Sequence, residues 1–182
     1  MSASLTTKSS PRLKARMAGV FYLLTFVTGV IALVSVSGRL AANLIATVCY
    51  VGVTLLFYDL FKPVSRSLSL LAAFFGLLGC AIAALSIFQV SPIHINSLVF
   101  FGCYCLLIGY LIFRSTFLPR ILGALMAFGG LGWLTFLSPA LSNHLSPYNL
   151  APGMLGEGLL TLWLLVIGVN VQRWKEQASL GR

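Results

Sequence analysis

The chain has 182 residues, 59% hydrophobic and 8% charged, with a net charge of +9. A soluble domain carries about 25% charged residues, so a single soluble core is excluded and the bilayer must act as part of the solvent. The Lys and Arg residues lie between apolar runs rather than on one patch, which sets aside nucleic acid as a partner and fits a membrane protein orienting itself.

Residues 1–14 form a basic, Ser/Thr-rich tail, expected to be mobile as far as Pro11. The uncharged run 17–38 is the first predicted span. It outlasts the 7–15 residues or so of a signal-peptide core, so it is read as retained. The second span follows Arg39 and runs to about Phe61, where Lys62-Pro63-Val64-Ser65-Arg66 makes a basic turn. The next uncharged stretch, 67–113, has room for two spans of ~20 residues. Ser91-Pro92 divides it, because proline ends helices and pushes the residue before it towards extended geometry. The third span carries Ala72, Gly76, Cys80 and Ala84, and the fourth carries Gly102, Cys105 and Gly109. Small residues at that spacing let helices approach closely in lipid.

Arg114 ends the fourth span, Ser115–Leu118 turns the chain, and Pro119 opens the fifth. Gly129-Gly130-Leu131-Gly132 looks like a phosphate loop, but no strand precedes it and no Lys follows, so close helix packing is the better account. Residues 138–152 form the longest connection. The sixth span is predicted from Pro152 to Val171, with Arg173, Trp174 and Lys175 anchoring its end.

The predicted fold is therefore all-α: a polytopic transmembrane bundle of six helices. The tail 1–14, a membrane domain over 15–174 and a C-terminal tail over 175–182 make up the chain. With six spans, Arg39 is the one Lys or Arg on its side of the membrane. The positive-inside rule then places both termini in the cytoplasm. The expected location is the bacterial inner membrane, with the lipid bilayer as first partner.

LFKPVSRSLSLLAAFFGL (60–77), GYLIFRSTFLPRILGALM (109–126) and LAPGMLGEGLLTLWLLVIGVN (150–170) resemble the bacterial membrane family called domain of unknown function 4386, and ARMAGVFYLLTFVTGVIAL (15–33) is similar to its first span. The resemblance runs from about Ala15 to Trp174. It implies a polytopic inner-membrane protein and transfers no functional residues. It also implies that Glu157 keeps the family pattern, whereas Asn43 or Tyr50, where the family often carries an acidic residue, and Tyr104, where it carries a His, depart from it.

The chemistry-bearing residues are few. Cys49, Cys80, Cys103 and Cys105 all lie in apolar runs, where a free cysteine behaves as a small hydrophobe. Cys103 and Cys105 are two apart, so they point to different sides of a helix. No HExxH or GxSxG motif occurs. No cofactor, metal or catalytic residue is expected, and enzyme activity is disfavoured. His94 and His144 read as loop histidines.

Glu157 is the one carboxylate inside a span. Its face continues through Gly153, Leu160, Thr161, Leu164 and Gly168, opposite a Leu155, Leu159, Leu162 and Val166 face suited to lipid. A carboxylate there is costly unless paired or hydrogen-bonded. The expected polar cluster joins Glu157 to Arg39 or Asn43, with Gln89, His94 and Asn96 at similar depth. The functions left open are an accessory, structural or ligand-sensing protein with a lipid, small-molecule or membrane-protein partner; a small-molecule or ion transporter; and, least supported, a membrane enzyme or redox carrier.

Overall fold

The structure is a computed structural model that describes residues 10–88, 90 and 96–180. Those residues are helical and hold no strand. Helix α1 spans Pro11–Val34, α2 Arg39–Phe61, α3 Arg66–Ile87, α4 Ser97–Arg114 and α5 Arg120–Leu134. A 3-10 turn (Thr135–Leu137) and a short helix α6 (Pro139–Leu145) lead into α7 (Leu150–Val166), and α8 (Val171–Leu180) ends the chain.

Local chemistry sets the boundaries. Ser10 caps α1 by accepting from the Leu13 N–H at 3.2 Å, with Pro11 in the first turn. Ser65 caps α3 in the same way, and the Asn96 side chain accepts from the Leu98 N–H at 3.0 Å to start α4. Pro119 stands just before α5 in extended geometry rather than inside it. The connection 138–152, read from sequence as a loop, contains α6, capped by Ser138 with Pro139 in its first turn.

Five helices are long and apolar enough to cross a membrane: α1 to α4, and α5 continued through the 3-10 turn to Leu137. Helices α6 and α7 pass that test only together, and they meet at a bend of 79°. The described residues therefore hold five or six candidate spans, the sixth being a broken one.

Helices α1 to α5 pack in sequence order, each on the next, and α7 packs on both α5 and α1, closing a ring. The short links reverse the chain each time. One end of the ring collects Arg12, Lys14, Arg16, Lys62, Arg66, Arg114, Arg120, Arg173 and Lys175, while Arg39 stands at the other. These will be called the basic end and the Arg39 end. Asp59 sits at the basic end, paired with both Lys14 and Lys62, and so ties α1 to α2.

Glycines let the helices meet. Cβ atoms built on Gly109 and Gly123 would lie 2.8 Å and 2.7 Å from each other's carbonyl oxygens, and Gly102 and Gly130 oppose one another similarly at 3.0 Å and 2.8 Å. So α4 and α5 touch backbone to backbone at two levels, as small residues permit in lipid. Gly129 and Gly132 face Pro152 of α7 instead, so the glycine run lies between two helices. Gly19 seats α1 against Leu164 and Leu165, where the ring closes.

The predicted sixth span does not run on to Val171. It stops at Val166, and Gly168 turns the chain with φ +76, a conformation that favours glycine. Asn170 then caps α8, its side chain accepting from the Arg173 N–H at 3.1 Å. Helix α8 lies across the basic end. Trp174 Nε1 donates to the Leu60 carbonyl at 2.8 Å, and Gln177 Nε2 donates to the Arg114 carbonyl at 3.2 Å.

Candidate functional site

The buried stripe of α7 is Gly153, Gly156, Glu157, Leu160, Thr161 and Leu164. Gly153 lies under the Trp133 ring and Gly156 against the Leu125 carbonyl, both of α5. With no Cβ at either position, the two backbones come close enough for Glu157 to reach Trp133. Glu157 Oε1 accepts from Trp133 Nε1 at 2.6 Å and from the Cys105 thiol at 3.4 Å. Its side chain is turned inward, and the residue is 6% exposed. No basic side chain forms an ion pair with it among the described residues.

Three tyrosines line the centre of the ring beside this carboxyl. Tyr22 and Tyr50 meet edge to face at 5.6 Å, and Tyr50 and Tyr104 at 5.7 Å. The Tyr22 and Tyr50 hydroxyls flank Glu157, yet these two and the Tyr104 hydroxyl are buried without a partner in good hydrogen-bond geometry. Buried polar groups normally find partners, so the two orphans Tyr22 and Tyr50 beside one carboxyl mark this as a polar centre rather than ordinary core. Towards the basic end the core is closed and mainly apolar, with Phe57, Phe61, Ile108, Ile112 and Leu164 almost fully buried, although Ser69 and Ser115 are buried there too and the Ser69 hydroxyl has no partner.

Towards the Arg39 end the centre opens. A pocket of about 670 Å³ lies between α1, α2, α3 and α4. Thr25, Arg39, Asn43, Thr47, Ser86 and Ser97 are its polar lining, and Tyr50 and Phe101 are its rings. Tyr50 thus belongs to both the pocket and the Glu157 centre.

The six residues expected to cluster are divided by the structure. Glu157 bonds to Trp133 and Cys105, neither of which was assigned that role from sequence. Arg39 donates from Nε to the Ala32 carbonyl at 3.2 Å, and with Asn43 it lines the pocket. Asn96 is engaged as the cap of α4. Gln89 and His94 lie outside the described residues. Cys105 did carry a signal: it shares the Gly102–Gly109 face, which turned inward. Trp133 carried none, because Trp near a span end suits a water interface equally well.

No group of His, Cys, Asp or Glu suited to a metal occurs among the described residues. The four cysteines are free. Unfolding the unreduced protein in detergent with maleimide is expected to label all four thiols. A disulfide-linked fraction that labels only after reduction would contradict this.

The site and fold can be set beside known proteins. The family described as domain of unknown function (DUF4386) matches residues 35–98 and 91–168, which leaves α1 outside the match. An uncharacterized protein of Archaeoglobus fulgidus is 31% identical over 127 residues, covering 65% of this chain and 76% of that protein. No solved structure matches the chain. The matched residues hold the α4–α5 glycine contacts, Tyr50, Tyr104, Trp133 and Glu157, and on that match the chain belongs to the DUF4386 family.

Proposed function

We propose that the chain is a six-span protein of the bacterial inner membrane, with both termini cytoplasmic, that holds a small molecule in the pocket at the Arg39 end and acts as an accessory or sensing component rather than a catalyst. The carrying observation is Tyr50. Its ring lines the pocket, and its hydroxyl is buried, unpartnered and beside Glu157. A ligand in the pocket would meet the polar centre there. At about 670 Å³ the pocket falls within the usual range for small-molecule sites.

The orientation rests on charge. On a six-span path the basic end faces the cytoplasm. The broken α6–α7 pair supports counting it as the sixth span. A reporter enzyme active only in the cytoplasm is expected to work when fused after residue 182, and activity of a periplasmic reporter there would overturn the orientation.

One observation favours transport as a second reading. Discontinuous helices near a buried ionisable group are how many transporters build their sites, and Glu157 lies two turns into the helix that follows the 79° bend. Against it, the half of the ring nearer the basic end is closed and mainly apolar. Purification in mild detergent tests the holding function. Mass spectrometry is expected to find a species retained by the native chain and lost from Ala46→Trp, which fills the pocket. Equal retention would sink the pocket reading, and flux through reconstituted vesicles would favour transport.

A further inference from the structure

We propose that the pocket takes an amphipathic anion, with its anionic group on Arg39 and its own hydroxyl or amine hydrogens directed at the oxygens further in. This rests on the reading of the pocket as a ligand site. The charge is asymmetric: among the described residues Arg39 is the only Lys, Arg, Asp or Glu in the lining. The Arg39 Nε–H is held by the Ala32 carbonyl, which steadies the guanidinium while no described residue takes its Nη hydrogens. Arg39 also opens α2, whose cap is Gly38 with no side-chain bond, so the positive end of a long helix points to the same place.

The hydroxyls of the lining ask for the opposite partner. The Thr25, Thr47 and Ser86 hydroxyls give their hydrogens to the Phe21, Asn43 and Ile82 carbonyls of their own helices. Each is left with oxygen lone pairs, which accept and do not donate. The Tyr50 hydroxyl below them is buried and unpartnered. Val36, Leu40, Ile87 and Phe101 supply apolar wall. A cation at the mouth, hydroxyl acceptors at Thr25, Thr47 and Ser86, the Asn43 amide, which both donates and accepts, and apolar sides suit a phosphate ester that carries free hydroxyl or amine groups. A lipid headgroup and a soluble hydroxylated phosphate share that chemistry. On the proposed topology Arg39 also runs against the charge bias of the whole chain, so its place calls for a reason other than orientation.

The test measures thermal stabilisation and affinity of the purified full chain in mild detergent. The probes are dihexanoyl phosphatidylglycerol, dihexanoyl phosphatidylcholine, glycerol 3-phosphate and inorganic phosphate. Expected is binding of an anionic, hydroxyl-bearing probe, weakened about tenfold or more by Arg39→Gln and lost in Ala46→Trp or its milder form Ala46→Leu. Preference for phosphatidylglycerol assigns a lipid headgroup, and preference for glycerol 3-phosphate a soluble ligand. If phosphatidylcholine binds equally and Arg39→Gln changes nothing while the pocket-filling variants abolish binding, the anion assignment is overturned and the pocket reading stands. If no probe binds, or if the pocket-filling variants bind as the native chain does, both are overturned.

Discussion

Gly156→Ala is expected to lower the thermal unfolding temperature in detergent sharply. The new Cβ would overlap the Leu125 carbonyl oxygen and crowd the Met126 Cα. Those are backbone atoms, so no side-chain rotation relieves the clash, and α5 and α7 must separate. Overpacking costs about 1–3 kcal/mol and occasionally more, and the upper end applies because Trp133 would also be drawn from Glu157. Gly158, two residues on, is the control. Its Cβ would meet nothing within 4 Å, so Gly158→Ala should be neutral or gain up to about 1 kcal/mol from helix propensity. Equal melting of the two variants would show that α5 and α7 do not approach as described.

The second large effect is at the Trp133–Glu157 bond. Glu157→Leu leaves the indole N–H without its acceptor, and Trp133→Phe leaves the buried carboxyl without its shortest donor. Each should cost about 1–3 kcal/mol. The two losses should not add. A double-mutant cycle is expected to give a coupling of about 0.5–3 kcal/mol, as for residues in direct contact. Glu157→Gln keeps a carbonyl acceptor and should retain more stability than Glu157→Leu. Additivity to within about 0.5 kcal/mol would rule the bond out.

Much of this architecture is written locally. Lys62-Pro63 and Arg114 to Pro119 separate apolar runs whose length fits the membrane, and Ser10, Ser65 and Asn96 are ordinary cap residues where helices begin; the expected break at Ser91-Pro92 lies outside the described residues. The inward turn of Glu157 follows from opposing small and leucine-rich faces of one helix. Its partner does not. Which neighbour a helix face meets depends on how the ring closes, and the indole reaches Glu157 only because Gly153, twenty positions away, leaves room beneath it. Arg39 was the obvious partner by charge and depth, but its Nε–H is taken by the Ala32 carbonyl in the last turn of α1. The end of α7 failed for another reason. VIGVN is apolar enough to read as a continuing span, and the capping signal of Asn170 was outweighed by that hydrophobicity.

The ring also orders how the protein comes into being. The α4–α5 hairpin is sealed by its own glycines, Gly102 on Gly130 and Gly109 on Gly123, and needs nothing made later. The polar centre is the reverse case. It draws Tyr22 from the first helix, Tyr50 from the second, Cys105 from the fourth, Trp133 from the fifth and Glu157 from α7. Ribosomal synthesis delivers those parts from first to last, and Gly19 can receive Leu164 only when α7 has left the insertion machinery. The site is therefore complete only once α7 has been made, and a nascent chain halted before α7 holds Tyr22 and Tyr50 without the carboxyl they flank.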